Sequence, residues 1–406
     1  MVIDAINEIV KTATTGNKTY KMWMGFLSIL AVVGLITYYQ QITQGLIVTN
    51  MRDQVSWGWY IANFTFLVGV AAAAVVLVIP YYLYSHKPIG NIVLIGEVMA
   101  VSAVSMCLMF ILLDMGSPER FWHLIPVIGY FNWPQSILTW DVIVLNAYLV
   151  LNLFLVTYAL SKIYQGKQYK TGFIWPFILL SIPAAISIHT VTAFLYLGAP
   201  ARPFWNAAVL APRFISSAFC SGPAFMIIIF QIIRKQTKLH IPDEALHKVA
   251  ELITWSMALN LFFLGAEVFK EVYSATAHIQ PFNYLWFGLN GHDQLVPWIW
   301  TALFANSFAF IILLMPALRK NFLTLNIACV LIFIGVYIEK GIGLIFPGFI
   351  PGTLGEIYDY MPNGLELVIS LAVWAIGLMI FTVGAKIAIA IKTGDIGHST
   401  GEHYTR

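Results

Sequence analysis

The chain has 406 residues, of which 59% are apolar and only 10% charged, with a mean hydropathy of +0.79. A soluble domain carries about 25% charged residues, so a water-soluble globular protein is excluded and lipid must be the solvent for much of the surface. The net charge of +3 is too small for a nucleic-acid binder, and no basic stripe runs along any helix. Three cysteines, Cys107, Cys220 and Cys329, lie far apart in apolar runs. They offer neither a disulfide framework nor a paired metal motif.

The first ~20 residues are polar and predict a cytoplasmic N-terminal segment, residues 1–21. The apolar run behind it is too long for a signal peptide, so the first span is expected to be retained. A bilayer-spanning helix needs about 20 mostly apolar residues. Ten runs meet this in order: Met22–Ile47, Trp57–Tyr84, Asn91–Leu113, Ile137–Ser161, Phe173–Leu197, Pro212–Ile233, Val249–Glu271, Val296–Met315, Phe322–Ile338 and Glu366–Ile391. Barrel strands would be shorter and alternating. The expected fold class is therefore an all-α polytopic membrane protein of about ten transmembrane helices, with a cytoplasmic tail at 392–406.

Lys and Arg in the connecting loops set the orientation. Sixteen fall on the side of the N-terminus, among them Lys167, Lys170, Arg234, Lys392 and Arg406. Five fall on the other: Arg52, Arg120, Arg202, Arg213 and Lys340. Both termini are expected in the cytoplasm, as an even number of spans requires. The cytoplasmic loops are short. The outer loops Asp114–Ser136, Gly198–Ala211, Tyr273–Leu295 and Lys340–Leu365 are longer and rich in Gly, Pro and Trp, which suggests a structured surface for a partner or ligand.

Ionisable groups within a membrane are costly and are functional candidates by default. Most of those here fall toward the outer rim: Asp114, Asp141, His189, Arg213, Glu267, Lys270, Glu271, Glu339, Lys340 and Glu366. Glu97, Glu251 and Lys386 fall toward the cytoplasm. His189 is the one histidine well inside a span, either a neutral packing residue or a hydrogen-bonding and proton-transferring group. Buried haem usually takes two histidines on facing helices, and an iron–sulfur cluster needs four thiolates, so neither is expected in this chain. Glu267, Lys270 and Glu271 share one helix face and read as an ion pair at a helix end or as a proton relay. Glu97 has no partner on its own helix. The turn residues Gly116 and Pro118 could set Asp114 near Arg120, and Arg202 stands beside an aromatic pair, Phe204 and Trp205.

Four segments in order resemble the NrfD/PsrC family of quinone-interacting membrane subunits. The stretch Asp114–His123 looks like the family's Asp-x-Gly-Arg-Pro-x-Arg-Phe-Trp motif, and Ser136–Asp141 resembles its Ser-Pro-x-x-Trp-Asp turn. Ile188–Ala193, running on to Arg202-Pro-Phe-Trp205, is a third match, and Pro347–Glu356 is similar to a late loop of ten-helix members. The likeness is nearest to the DsrP members of DsrMKJOP complexes. Ser117 stands where the family usually has its first arginine, and Ile137 where it has proline.

The resemblance implies two adjacent four-helix bundles, about 57–197 and 212–338, plus flanking helices within a membrane domain 22–391. It implies menaquinone or ubiquinone as the redox carrier and no other cofactor. It also implies an extracytoplasmic ferredoxin-like iron–sulfur subunit as partner, with further subunits of a DsrMKJOP-like complex. His189, Asp114, Arg120 and Arg202 are then the expected quinone-binding residues. Glu97, Asp141, Glu267 and Lys270 are the expected proton-transfer residues. A secondary transporter or a non-redox membrane anchor are the alternative functions, and the chain carries no catalytic redox centre of its own.

Overall fold

The computed structural model describes residues 2–167, 171–276, 279–352 and 354–398. Lys170 and Arg406 of the orientation count, Thr353 of the late loop and residues 399–406 of the tail lie outside them. Among the described residues ten helices are long and apolar enough to cross a membrane. The chain opens with α1 (Val2–Thr14), a helix not anticipated in the polar N-terminal segment. Its Glu8 accepts a hydrogen bond from Tyr164 at 2.9 Å, which ties it to the bundle end.

The spans follow as α2 (Lys18–Gln44), α3 (Trp59–Leu83), α4 (Gly90–Asp114), α5 (Ile137–Tyr164), α6 (Thr171–Leu197), α7 (Leu210–Gln236) and α8 (Asp243–Ser274). After the short α9 (Ile279–Trp286) come α10 (Val296–Leu314), α11 (Phe322–Phe349) and α12 (Gly364–Lys392). Local chemistry sets several ends. The Asn17 side chain caps α2 by accepting from the Tyr20 amide. Asn363 and Glu366 form a capping box that starts α12, satisfying amides that have no partner within the helix.

Helices α3, α4, α5 and α6 pack in a ring, each against the next, and α7, α8, α10 and α11 form a second. Helix α3 also packs on α7 and α11, so it belongs to the wall between the two bundles. All of its apolar window is buried, as expected of a helix that is hydrophobic on every side. Helices α2 and α12 pack on each other and flank the first bundle. With only 17% of its window buried, α2 is left mostly to lipid.

With no hydrophobic drive between helices in lipid, close approach at small residues does the packing. A Cβ on Gly34 would run into Ala372, and one on Gly222 would run into Ala73. These two contacts close the α2–α12 and α3–α7 seams.

The ninth run is longer than its apolar stretch suggested. The helix does not stop at Ile338 but winds a π-turn over Ile338–Ile342 and continues to Phe349. Glu339 and Lys340 are thus buried inside a span. Lys340 does not belong among the loop cations of the orientation count. The two charges end the apolar run in the sequence, while their side chains find interior neighbours in the fold.

Candidate functional site

Three polar residues of α6, His189, Thr192 and Tyr196, lie three and four residues apart, the spacing that puts side chains on one helix face. All are buried and face the interior of the first bundle. The Nδ1 atom of His189 is 3.1 Å from the carbonyl of Ala185. A carbonyl only accepts, so Nδ1 carries the hydrogen and the neutral ring presents Nε2 as an acceptor. That Nε2 is buried with no hydrogen-bond partner in the protein.

One turn further, Thr192 Oγ1 lies 2.8 Å from Asp141 Oδ1 and 2.7 Å from the Ile188 carbonyl. The hydroxyl has a single hydrogen. If it goes to the carboxylate, the carbonyl contact is unfilled. If it goes to the carbonyl, a protonated Asp141 donates in return. The pair therefore holds its geometry whether or not Asp141 carries a proton. The other oxygen of Asp141, Oδ2, is buried without a partner.

Above this pair Tyr196 and Thr65 share a hydrogen bond across α6 and α3. Tyr196 then meets an aromatic cluster. Trp57 stacks on Trp205 with ring centroids 5.5 Å apart, and Phe349 sets its edge to Trp205 at 5.0 Å. Arg202 lies 4.9 Å over the Phe349 ring and donates to its carbonyl at 3.3 Å. Trp205 Nε1 donates to the Leu344 carbonyl at 2.8 Å. Arg202 is thus built into the lid of aromatic rings over the first bundle.

Asp114 ends α4 with Oδ1 buried and unpartnered. Tyr60 and Tyr196 lie within reach of its charge. Gln41 braces this corner, donating to the Leu113 carbonyl at 2.8 Å and accepting from Tyr60 at 2.7 Å. Arg120 does not join Asp114. It lies in a 3-10 turn over Pro118–Leu124, its side chain 72% exposed and 4.0 Å from Glu119.

The second bundle holds a different arrangement. Arg213 of α7 bridges Glu267 of α8 and Glu339 of α11, the latter at 2.8 Å. Asn306 and Asn260 donate to Glu339 at 2.8 and 3.3 Å. A cavity of about 20 Å³ beside this cluster is lined by Arg213, Glu267, Glu339 and Trp286, among others, space for a single water. Of the three residues expected to pair along the α8 face, Lys270 and Glu271 do so and Glu267 does not. Glu267 turns inward to Arg213, while the half-exposed Lys270 reaches Glu271 at 3.1 Å. A cation on a neighbouring helix outcompetes the local one because burial leaves the inward carboxylate no water.

At the opposite end Glu97 is buried, with Oε2 unpartnered. Lys392, at the foot of α12, lies within reach of its charge and donates to the Asn91 carbonyl at 2.7 Å.

Arg213, Glu339 and Lys340 entered the sequence reading only as ionisable groups in or near spans, Thr192 only inside the Ile188–Ala193 match, and Tyr196 not at all. The available signal was polar residues at helical spacing behind His189, and two adjacent charges within an otherwise apolar stretch.

Comparison with known proteins adds ancestry to this geometry. The sequence profile of the family described as Polysulphide reductase, NrfD matches residues 47–350. The chain is 24% identical to a selenate reductase subunit of Mesobacillus selenatarsenatis, over 94% of this chain and 96% of that one. It is 21% identical to the Hdr-like menaquinol oxidoreductase integral membrane subunit of Archaeoglobus fulgidus, over 90% and 93%. It is 23% identical to the menaquinone reductase integral membrane subunit of Nitratidesulfovibrio vulgaris, over 91% and 89%.

Proposed function

The chain belongs to the family Polysulphide reductase, NrfD, and on that premise we propose that this multi-pass membrane protein is the quinone-interacting subunit of a multi-subunit oxidoreductase. It exchanges electrons between a membrane quinone, menaquinone or ubiquinone, and an iron–sulfur protein docked on the non-cytoplasmic face. It sits in the cell's inner membrane with both termini cytoplasmic, and its partner subunits are of the DsrMKJOP kind. The observation that carries the reading is the pair of buried, unpartnered acceptors, His189 Nε2 and Asp141 Oδ2, on facing helices of the first bundle. Buried polar atoms without partners are rare in folded proteins, and the two hydroxyl groups of a planar quinol head group are suited to donate to them. Relatives named as menaquinol oxidoreductase and menaquinone reductase subunits support the same carrier.

A quinol brings two protons and two electrons as one package. His189 accepts a proton at Nε2, the acceptor left by its Nδ1–carbonyl bond. Asp141 takes or gives a proton without moving, because Thr192 can turn its one hydrogen either way. The rings of Trp57, Trp205, Tyr196 and Phe349 close the site on the side of the long loops and keep water out. Above them Phe121, Val127, Ile128 and Tyr130 stand exposed on one loop, apolar surface of the kind that partner proteins cover.

The test uses the complex purified with its native subunits. His189→Ala and Asp141→Asn are expected to abolish quinol-dependent reduction of the partner while the subunits still co-purify. Wild-type protein should bind a hydroxyquinoline N-oxide, a quinol mimic. Normal electron transfer in both variants, or no binding of the mimic, overturns the reading. The latter result points to an anchor, and solute uptake by the isolated protein in liposomes points to a transporter.

A further inference from the structure

The polar N-terminal segment folds as a helix whose two faces differ sharply. At 3.6 residues per turn, Ala5, Ile6, Ile9, Val10 and Ala13 of α1 fall on one face, and Asp4, Asn7, Glu8 and Lys11 on the other. Such a division suits a helix lying along an apolar boundary. The apolar face is itself divided. Ala5, Ile9 and Ala13 are half-buried, and α1 packs on α12. Ile6 and Val10, one turn apart beside them, are each 54% exposed. A helix of 13 residues is marginal in water, and aliphatic side chains that face water add nothing to hold it.

Contacts along its length keep α1 across the foot of the bundle. Glu8 accepts from Tyr164, at the end of α5, at 2.9 Å. Tyr20 of α2 donates to the Ala13 carbonyl at 2.5 Å. Lys386 of α12 donates to the Thr15 carbonyl and lies 3.5 Å over the Tyr20 ring. The hydroxyls of Thr14 and Thr15 donate to the carbonyls of Val10 and Lys11 at 2.8 and 2.6 Å. Carbonyls that a helix end leaves open are thus filled by protein groups, and this end does not depend on water.

The neighbours of α1 say what medium covers Ile6 and Val10. Tyr20 and Trp23 stand at its C-terminal end, and Trp23 donates to Thr382 at 3.2 Å. Tyr and Trp are the residues that settle at the membrane–water boundary. Directly beyond them begins the exposed apolar surface of α2, at Met22, Phe26 and Ile29, which faces lipid. Charge points the same way. Lys11, Lys18 and Lys21 are exposed where α1 meets α2. The acidic residues Asp4 and Glu8 lie nearer the N-terminus, and Glu8 is engaged by Tyr164.

We infer that α1 is an in-plane membrane anchor: its Ile6–Val10 edge enters the lipid on the face that carries the termini, and Lys11, Lys18 and Lys21 receive the phosphates of anionic phospholipid headgroups. Basic side chains beside an apolar edge are drawn to an anionic bilayer surface. The anchor pins the foot of α2, the span with the smallest share of its window buried. It serves in this way whatever carrier the first bundle binds.

The test places the full chain in bilayer nanodiscs. Cys107, Cys220 and Cys329 are buried, so one introduced cysteine takes a label selectively. Ile6→Cys, Val10→Cys and Asn7→Cys each carry a nitrobenzoxadiazole fluorophore. A doxyl group borne by lipid near the headgroup should quench the label in the first two, and aqueous iodide the label in the third. Iodide quenching of all three overturns the inference. So does shielding of the first two from both quenchers, which gives the face to a protein partner.

Thermal unfolding supplies the second readout. The wild-type Tm should rise by a few degrees when phosphatidylcholine is replaced by equal parts of phosphatidylcholine and phosphatidylglycerol, because a ligand of the folded state stabilises it. The combined variant Lys11→Gln, Lys18→Gln, Lys21→Gln should lose that rise and keep the wild-type Tm in phosphatidylcholine. No rise in the wild type, or the same rise in the variant, overturns the inference.

Discussion

The two bundles use buried polarity in opposite ways. In the second, Arg213 stands between Glu267 and Glu339, and two asparagine amides complete the carboxylate of Glu339. Charges there neutralise each other. In the first, His189 and Asp141 each satisfy one atom locally and leave the other open toward the interior. Burying a polar atom without a partner costs free energy; the first bundle bears that cost at titratable groups, whereas around Glu339 it falls on the amide oxygens of Asn260 and Asn306. The difference teaches where to look for a ligand: where a fold leaves donors and acceptors pointed at a shared interior rather than at one another. The charged residues that dominate a list of membrane ionisables need not be the ones that meet a substrate.

That contrast can be broken most severely at Arg213. Arg213→Met leaves Glu267 and Glu339 facing each other without a counter-ion. It should cost about 3–5 kcal/mol, read as loss of folded protein in detergent or a much lower Tm. A variant as stable as wild type would mean that the second bundle is not held by its charges.

Trp205→Ala comes next. Its ring fills the cluster under Gly348, where even a Cβ would collide with it, and donates to Leu344. Loss of a buried aromatic costs about 3–5 kcal/mol less any relaxation, and the variant should also admit water to the first bundle and weaken probe binding. A smaller effect is expected of Thr192→Val, which strands Asp141 Oδ1 without its donor. An unsatisfied buried acceptor costs about 1–3 kcal/mol, and turnover should fall while assembly holds; unchanged turnover would remove Asp141 from the proton step. The smallest is Arg120→Ala, with stability within about 0.5 kcal/mol of wild type because the side chain is exposed. If Arg120 serves the docked partner, co-purification weakens although the protein's Tm does not move. An unaltered complex would take Arg120 out of the site altogether.

Much of the architecture was legible in the amino-acid order. Ten apolar runs of spanning length became ten candidate spans, because backbone polar groups in lipid must pair within the segment, and only helices do so run by run. What could not be read was partnership. Glu267 and Lys270 share a face of α8, and local periodicity joined them, yet Glu267 pairs with a guanidinium from α7. Asp114 and Arg120 stand six residues apart across a turn, yet the turn ends with a carboxyl oxygen of Asp114 buried and the Arg120 side chain in solvent. Lys340 read as a loop cation because two charges in succession look like the end of a span. A π-turn lets both be buried by sending them to different neighbours.

The residue order by itself determined that this chain lives in lipid, that it crosses as helices, and which apolar stretches do the crossing. Those properties depend on sums over about twenty residues at a time, and hydropathy adds up along a segment. The tertiary structure decided which buried charges cancel and which polar atoms remain open. Electrostatics and hydrogen bonding act across a few ångströms between helices far apart in sequence, and no sum along the chain contains those distances.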